Sequence, residues 1–225
     1  RTYGEKTYDY AAVDKLRTHD FEERILIFNK LFKGSEKTIL DVGTSSGNFM
    51  EIAIGHGWKA KGVEPFPEDV KKCVDKGLDV VLGLAEELPY SDNTFDVVHT
   101  SHVFEHLEDP LKAAREAYRV LKPGGLLFIE VPNQLDNFGF HRDMVFKSVS
   151  QRKRDIASIH HLWFFGKSTL RLLFEKASFV NVKVINKHHK TFGGWRLPFS
   201  LISQLLSNLF FGTYIIRGFG FKSKG

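Results

Sequence analysis

Two acidic residues with a glycine turn between them are the residues of this chain whose spacing best suits ligand binding. The stretch 39–49 reads ILDVGTSSGNF, so an apolar run contains Asp41 and passes through Gly43 and Gly47 into a helical pattern. Glycine lets the backbone approach a ligand closely where a strand turns into a helix. Glu64 ends the next apolar run, at the offset of about 20 residues that a ribose-binding carboxylate requires. The spacing predicts a nucleotide site.

The glycine turn differs from the two common loops that bind phosphates. A dinucleotide fingerprint G-x-G-x-x-G fails at Ser45 and Asn48. A Walker A loop would end in Gly-Lys-Ser or Gly-Lys-Thr, and this turn has no such ending. The turn therefore favours a cofactor that combines a ribose with an amino-acid group instead of a pyrophosphate.

Alternating strand and helix patterns are predicted around these residues. Strands separated by helices favour a parallel sheet with right-handed crossovers, and one soluble domain of residues 1–225. One helix is expected to open at Pro110 and to stop at Pro123-Gly124-Gly125. The predicted strands are 38–42, 59–64, 79–82, 95–101, 126–131, 180–186 and 213–219, and the predicted helices are 15–31, 47–55, 67–76, 110–121 and 167–177.

Four further motifs follow the glycine turn in a fixed order: GLAEELPYSDNTFDVV at 83–98, HTSHVFEHLEDP at 99–110, REAYRVLKPGGLLFIEVPN at 115–133 and HLWFFGKSTLRLLFEKASF at 161–179. Together the five motifs resemble the class I S-adenosylmethionine (SAM)-dependent methyltransferases of the small-molecule branch, from about residue 20 to the C-terminus. The resemblance implies a three-layer, doubly wound, Rossmann-like α/β fold. Its seven-stranded, mostly parallel sheet would have the order 3-2-1-4-5-7-6, with the seventh strand antiparallel.

The same resemblance implies SAM as cofactor and assigns residues to it. Glycines of the turn would approach the amino-acid end of SAM, and Asp41 would orient the turn or reach the ammonium through water. Glu64 would accept both ribose hydroxyls, and 84–86 would contact adenine, although the family often has Asp where Leu84 stands. The expected cofactor-binding residues are Asp41, Gly43, Thr44, Ser45, Gly47, Glu64, Leu84, Ala85, Glu86 and Ser101.

Three histidines are the candidates for acid–base chemistry. The methyl group of a sulfonium is already activated, so correct positioning of the acceptor supplies most of the acceleration. An oxygen acceptor additionally needs a base near neutral pH, for which His102, His106 and His161 are candidates. A purely structural role for these side chains is the alternative. Their spacing beside Glu105 also permits divalent-metal ligation, but no metal is the expectation.

Charge is distributed unevenly along the chain. Residues 1–140 contain 17 Lys and Arg against 24 Asp and Glu, whereas residues 141–225 contain 15 against 3. The basic part, with its cluster at 152–154, favours an anionic partner, and a solvated basic surface is the alternative. Residues 197–216 carry no charge, and an apolar helical face there would contact a membrane surface, a lipid tail, the core or a second copy in a homodimer.

Three segments are expected to cover the site. They are an N-terminal helical cap or lid at 1–34, a lid insertion at 134–160 and a helical insertion at 188–211. Cys73 is the single cysteine, which favours a reducing compartment. The expected location is cytoplasmic, with the option of peripheral membrane contact through the basic part.

The resulting hypothesis is a SAM-dependent methyltransferase of a small or lipid-linked acceptor, optionally anionic, with O-methylation slightly favoured. The alternatives are a methyltransferase of RNA or another macromolecule, or a non-catalytic SAM-binding protein. Nucleic acid is disfavoured because HTSHVFEH lacks the Asn/Asp-Pro-Pro-aromatic signature of amino-group base methylation. Cys73 is also predicted to lie on a helix away from the cleft, which disfavours a cysteine nucleophile.

Overall fold

The computed structural model of this protein describes residues 10–135, 161–187 and 215–224. Helices and strands alternate along this part of the chain, as the sequence patterns predict. The helices are α1 (Tyr10–Leu31), α2 (Asn48–Gly55), α3 (Pro67–Asp75), α4 (Pro110–Val120) and α5 (Lys167–Lys176), with a 3₁₀ helix at Phe104–His106; the strands are β1 (Thr38–Val42), β2 (Lys59–Glu64), β3 (Val80–Leu82), β4 (Phe95–Ser101), β5 (Leu121–Pro132), β6 (Val180–Lys187) and β7 (Ile215–Phe221).

Seven strands of the described ranges form a mixed sheet in the order β3-β2-β1-β4-β5-β7-β6. The pairs β1–β2, β2–β3 and β4–β5 are parallel, whereas β7 runs antiparallel to both β5 and β6. This arrangement confirms the predicted α/β Rossmann-like class, strand order and antiparallel last strand. The chain divides into two compact units, residues 1–82 and 83–225, which are described separately below.

The first unit packs α2 and α3 onto its strands. Met50, Cys73, Leu78 and Val80 form a buried cluster there. Side chains at Val80 and Met50 leave room only for glycine at position 62, where an added Cβ would lie 2.9 Å from Val80 and 2.8 Å from Met50. This close packing fixes the end of β2, which carries Glu64.

In the second unit the two central strands, β4 and β5, are largely buried. Residues 126–129 of β5 are fully buried, as expected for a strand covered on both faces. Phe174 of α5 lies over Gly218 and Gly220 of β7, where an added Cβ would collide with its ring. Large and small residues therefore interlock across this helix and strand.

Most predicted boundaries agree with the structure, and those of β1, β2 and β4 are identical to it. The predicted end of α4 ahead of Pro123-Gly124-Gly125 is confirmed, because the helix ends at Val120. The predicted start of the next strand at 126 is wrong, because β5 already begins at Leu121. The register between β4 and β5 shifts after Phe95, which accommodates the extra residues. Gly124 takes a φ of 79° and donates its N–H to the Lys222 carbonyl at 3.0 Å.

Several sequence predictions fall outside the described residues. They concern the basic cluster at 152–154, most of the uncharged run 197–216, most of the expected lid 134–160 and the insertion 188–211. Among the helices that the structure describes, none combines the length and apolar character needed to cross a membrane.

Candidate functional site

The turn after β1 is built by glycines with positive φ. Gly43 and Gly47 both have φ near 79°, a left-handed conformation that favours glycine. Gly43 donates its N–H to the Val63 carbonyl at 2.8 Å, so the turn continues the β1–β2 ladder. Gly47 then directly precedes α2, and its N–H donates to the Thr44 carbonyl at 2.9 Å. The predicted glycine turn therefore lies at the carboxyl end of β1.

Ser45 occupies the position where the resembled family has the middle of three glycines. Its φ is 49°, so a residue with a Cβ adopts the left-handed backbone here. The conformation points the Ser45 N–H to Glu64 Oε2, at 2.9 Å. The departure from the family pattern thus retains the glycine-like backbone and exposes the serine side chain.

Glu64 ends β2 as a buried carboxylate, with 3% of its surface exposed. Its second oxygen, Oε1, accepts the Phe66 N–H at 3.3 Å. Burial raises the pKa of Glu64 above its ordinary value, the two backbone N–H groups oppose this, and the carboxylates of Asp69 and Asp41 add to it. Each carboxylate oxygen can accept more than one hydrogen bond, so the group retains acceptor capacity for a ligand.

Cys73 contacts the turn after β1. It is fully buried in α3, and its Sγ donates to the Ser45 carbonyl at 3.3 Å. Burial raises the pKa of the Cys73 thiol. The prediction that Cys73 lies on a helix is confirmed, and a buried thiol with a raised pKa is a poor nucleophile.

In the second unit the segment expected to meet adenine follows β3 directly. Leu84 is exposed, at 57%, whereas Ala85 is buried. Leu84 forms an isolated bridge with Glu87, and Glu86 Oε1 lies 3.5 Å from the Asp109 N–H. The contacts describe a short turn, and the adenine contact itself stays a prediction.

The end of β4 is fixed by a buried ion pair. Ser101 Oγ donates to Glu130 Oε1 at 3.3 Å, and the His102 N–H donates to the Glu130 carbonyl at 2.9 Å. Glu130 Oε2 in turn accepts from Arg217 Nε at 2.6 Å, and both side chains are almost fully buried. Residues from β5 and β7 thus anchor the two candidate site residues that close β4.

The three predicted histidines lie together around one carboxylate. His102 has a φ of 56° and places Nδ1 3.2 Å from Glu105 Oε1. His106 Nε2 lies 4.0 Å from the same oxygen. The rings of His106 and His161 meet edge to face, with centroids 4.7 Å apart. His106 and His161 are therefore neighbours, although they lie 55 positions apart in the sequence.

The segment that carries His161 is tied to the 3₁₀ helix by backbone contacts. The N–H groups of Leu162 and Trp163 both donate to the Glu105 carbonyl, at 2.8 and 3.1 Å. The Trp163 indole N–H donates to the Leu107 carbonyl at 2.9 Å. On the other side, the Gln134 side-chain nitrogen lies 3.2 Å from His161 Nδ1. These contacts hold the His161 segment from two directions.

Gln134, Glu130 and Arg217 are site-supporting residues that the sequence reasoning missed. Glu130 and Arg217 are 87 positions apart, so no local pattern links them. A charged residue inside the otherwise apolar runs LLFIEV and IIRGF is the one available signal, since buried charges are usually paired. Gln134 lies two residues after the end of β5, where ligands of such sheets bind.

Comparison with known proteins assigns the chain to a family. The family model for a methyltransferase domain matches residues 16–184. The chain belongs to this methyltransferase domain family, which confirms the family predicted from the motifs.

Individual relatives agree with this assignment. An uncharacterized methyltransferase of Mycobacterium sp. (strain JLS) is 35% identical over 107 residues, which cover 47% of this chain and 42% of the relative. The match thus spans less than half the length of that relative.

Two solved structures share the fold. One is a SAM-dependent methyltransferase of Thermotoga maritima, described as a possible histamine N-methyltransferase (TM-score 0.65, 22% identity, 95% of this chain and 96% of that chain). The other is phosphoethanolamine N-methyltransferase 2 of Haemonchus contortus in complex with SAM (TM-score 0.62, 17% identity, 90% of this chain and 53% of that chain). At these identities the likeness concerns the fold alone.

Proposed function

We propose that this chain is a SAM-dependent methyltransferase that acts on a small acceptor. Membership in the methyltransferase domain family supports methyl transfer. The SAM complex of the Haemonchus contortus enzyme, which shares the fold, supports SAM as the cofactor. The residues of the first unit would bind the ribose and the amino-acid group, and the histidine cluster of the second unit would serve the acceptor.

The observation that carries the proposal is the pairing of Ser45 with Glu64. A buried carboxylate is costly unless hydrogen bonds compensate it. Here two N–H groups, from Ser45 and Phe66, hold the carboxylate at the end of β2 beside the glycine turn. Ribose hydroxyls would donate to the lone pairs that remain on Glu64. The glycine turn beside it, with Ser45 exposed, suits the amino-acid group of SAM, which needs close approach and no phosphate site.

An acceptor that carries an anionic group fits the excess of basic residues in 141–225. The Haemonchus contortus enzyme is named for phosphoethanolamine, a small phosphate-bearing acceptor. The same proposal includes a lipid-linked acceptor, which the protein would reach through peripheral contact with a membrane. The contributing basic cluster at 152–154 lies outside the described residues, so this part rests on composition alone.

Oxygen and nitrogen acceptors make different demands on the protein. A hydroxyl must lose its proton during transfer, and His102, paired to the buried Glu105, is suited to take it. An amine needs only its neutral lone pair, and both solved structures named above are described as N-methyltransferases, one of them as a possible one. We favour an oxygen acceptor on the histidine cluster and retain an amine as the second candidate.

Calorimetry with SAM tests the cofactor site directly. Each charged hydrogen bond contributes about 1.5–3 kcal/mol, so Glu64→Gln should weaken SAM binding by about one to two orders of magnitude. Glu68→Gln, which changes an exposed carboxylate of the same unit, is the matched control and should leave the affinity unchanged. Equal affinity for SAM in wild type and Glu64→Gln would remove Glu64 from the site.

Transfer from methyl-labelled SAM tests the reaction. Wild-type protein should label phosphorylated alcohols or amines, and not RNA. Label in RNA alone would favour the macromolecular alternative. SAM binding without transfer to small molecules, lipids or RNA would favour a non-catalytic SAM-binding protein.

A further inference from the structure

We propose that Glu105, His106 and His161 bind a divalent transition-metal ion. One potential ligand atom from each residue lies within 4.8 Å of the other two, a grouping found among the described residues of the second unit. Two imidazole nitrogens and a carboxylate oxygen form a donor set that suits such ions.

Burial makes Glu105 the strongest part of this cluster. Its side chain is fully buried, and Oε1 is approached by His102 Nδ1 and His106 Nε2. Within the part of the chain that the structure describes, Oε2 is buried and accepts no hydrogen bond. A buried carboxylate with an unsatisfied oxygen carries a desolvation cost that a cation would offset.

Fixed backbone contacts bring the ligands together before any ion arrives. The Glu105 carbonyl accepts two N–H groups from Leu162 and Trp163, directly after His161. Glu105 and His106 belong to one 3₁₀ helix, so their positions are coupled. Thus the third ligand is held beside the first two by contacts that do not involve its ring.

Gln134 supplies the outer contact that a metal-binding histidine usually has. Its buried amide lies 3.2 Å from His161 Nδ1, and its Oε1 has no hydrogen-bond partner in the described ranges. Turning the amide by 180° would let Oε1 accept the Nδ1–H of His161. His161 would then present the lone pair of Nε2 to an ion, the arrangement typical of metal-bound histidines.

Distances set how much the cluster must adjust. Two ligand atoms that each lie about 2.1 Å from one ion are separated by at most about 4.2 Å. The 4.0 Å between Glu105 Oε1 and His106 Nε2 meets this limit. The potential ligand atoms of the three residues lie within 4.8 Å of one another, so the remaining separations exceed this limit only slightly, if at all. The side chain of His106 is 41% exposed, and small side-chain movements suffice.

The donor chemistry selects the metal class. Imidazole nitrogens favour Zn²⁺, Co²⁺, Ni²⁺ or Fe²⁺, whereas Mg²⁺ and Ca²⁺ prefer oxygen ligands. Three protein ligands leave coordination positions for water or an acceptor oxygen. Activation of an acceptor by the ion would rest on the proposed methyl transfer, but ion binding itself does not.

Titration of the chelator-treated full chain with Co²⁺ and with Zn²⁺ tests the site. We expect one ion per chain and a visible Co²⁺ absorption band that Zn²⁺ abolishes. His161→Ala and Glu105→Gln should each weaken binding at least about tenfold. His56→Ala, which removes an exposed histidine of the first unit, is the control and should bind like wild type. Mg²⁺ should not compete.

The variants also separate a local effect from misfolding and from failure of the proposed function. Circular dichroism and SAM calorimetry of His161→Ala should match wild type, because His161 is not among the residues assigned to the cofactor. Absence of a one-to-one Co²⁺ complex in wild type would overturn the proposal, whether or not SAM binds. Equal Co²⁺ affinity in wild type, His161→Ala and Glu105→Gln would overturn it as well.

Discussion

The turn after β1 and the turn after β4 each contain a residue other than glycine with positive φ, Ser45 at 49° and His102 at 56°. At the first turn the strained residue contributes a backbone N–H, which binds Glu64. At the second it contributes a side chain, whose ring meets Glu105. A left-handed residue costs about 1–2 kcal/mol, so both turns store strain at candidate functional positions. The turn after β1 thus uses a backbone N–H group, whereas the turn after β4 uses a side-chain ring.

The second turn depends on a buried ion pair between Arg217 and Glu130. Arg217→Met should lower the free energy of unfolding by about 4 kcal/mol, because it leaves Glu130 buried without its ionic partner. Urea denaturation measures this change. Lys71→Met removes an exposed partner of Asp75 and should cause little change. Similar losses in both variants would show that burial does not distinguish them.

The first turn depends instead on the absence of a side chain. Gly47→Ala should lower the free energy of unfolding by about 3 kcal/mol, because a Cβ at φ 79° would collide with Leu78 and lie 3.1 Å from Cys73 Sγ. Gly57 has nearly the same φ, 80°, but open space around it. Gly57→Ala should therefore cost only about 1 kcal/mol. Equal losses of stability in thermal melts of the two variants would show that the backbone conformation, and not the collision with Leu78, causes the whole effect.

The acidity of Glu64 should make the first turn sensitive to pH. Ribose hydroxyls donate best to the ionised carboxylate, so SAM affinity should fall as the pH drops through the raised pKa of Glu64. Calorimetry at several pH values measures this, and Glu64→Gln should lack this decline.

Stability without ligand has the opposite pH dependence. Because the folded-state pKa is raised, the contribution of Glu64 is present below its ordinary pKa and is lost as the pH rises through the folded value. Relative to wild type, Glu64→Gln should therefore gain stability as the pH rises. If the difference in unfolding free energy between wild type and Glu64→Gln were the same at acidic and neutral pH, the raised pKa of Glu64 would be contradicted.

Glycine at the two strained positions gives the smallest effect on stability and the sharpest contrast in function. Ser45→Gly and His102→Gly should each change the free energy of unfolding by less than about 1 kcal/mol, since relief of strain offsets the entropy of glycine. Ser45→Gly should retain SAM affinity because its N–H remains. His102→Gly should reduce methyl transfer to an oxygen acceptor, and label transfer at saturating SAM measures this. Equal transfer by both variants would contradict the assigned difference between the turns.

Local patterns carried most of the fold prediction. Gly43, Gly47 and Glu64 could be found from the sequence because strand, turn and helix follow one another directly there. The start of β5 was predicted at 126 and not at Leu121, because the register shift that allows the earlier start leaves no mark in the local pattern. Contacts such as Arg217 to Glu130 and Gln134 to His161 depend on how distant strands and segments meet, which no local spacing encodes.

The bond from the Trp163 indole to the Leu107 carbonyl gives the histidine cluster a built-in optical reporter. With Trp58 and Trp195 replaced by phenylalanine, fluorescence would come from a single indole two positions after His161. Its emission wavelength would then register whether that stretch of chain stays docked when an ion or an acceptor arrives, without any attached dye.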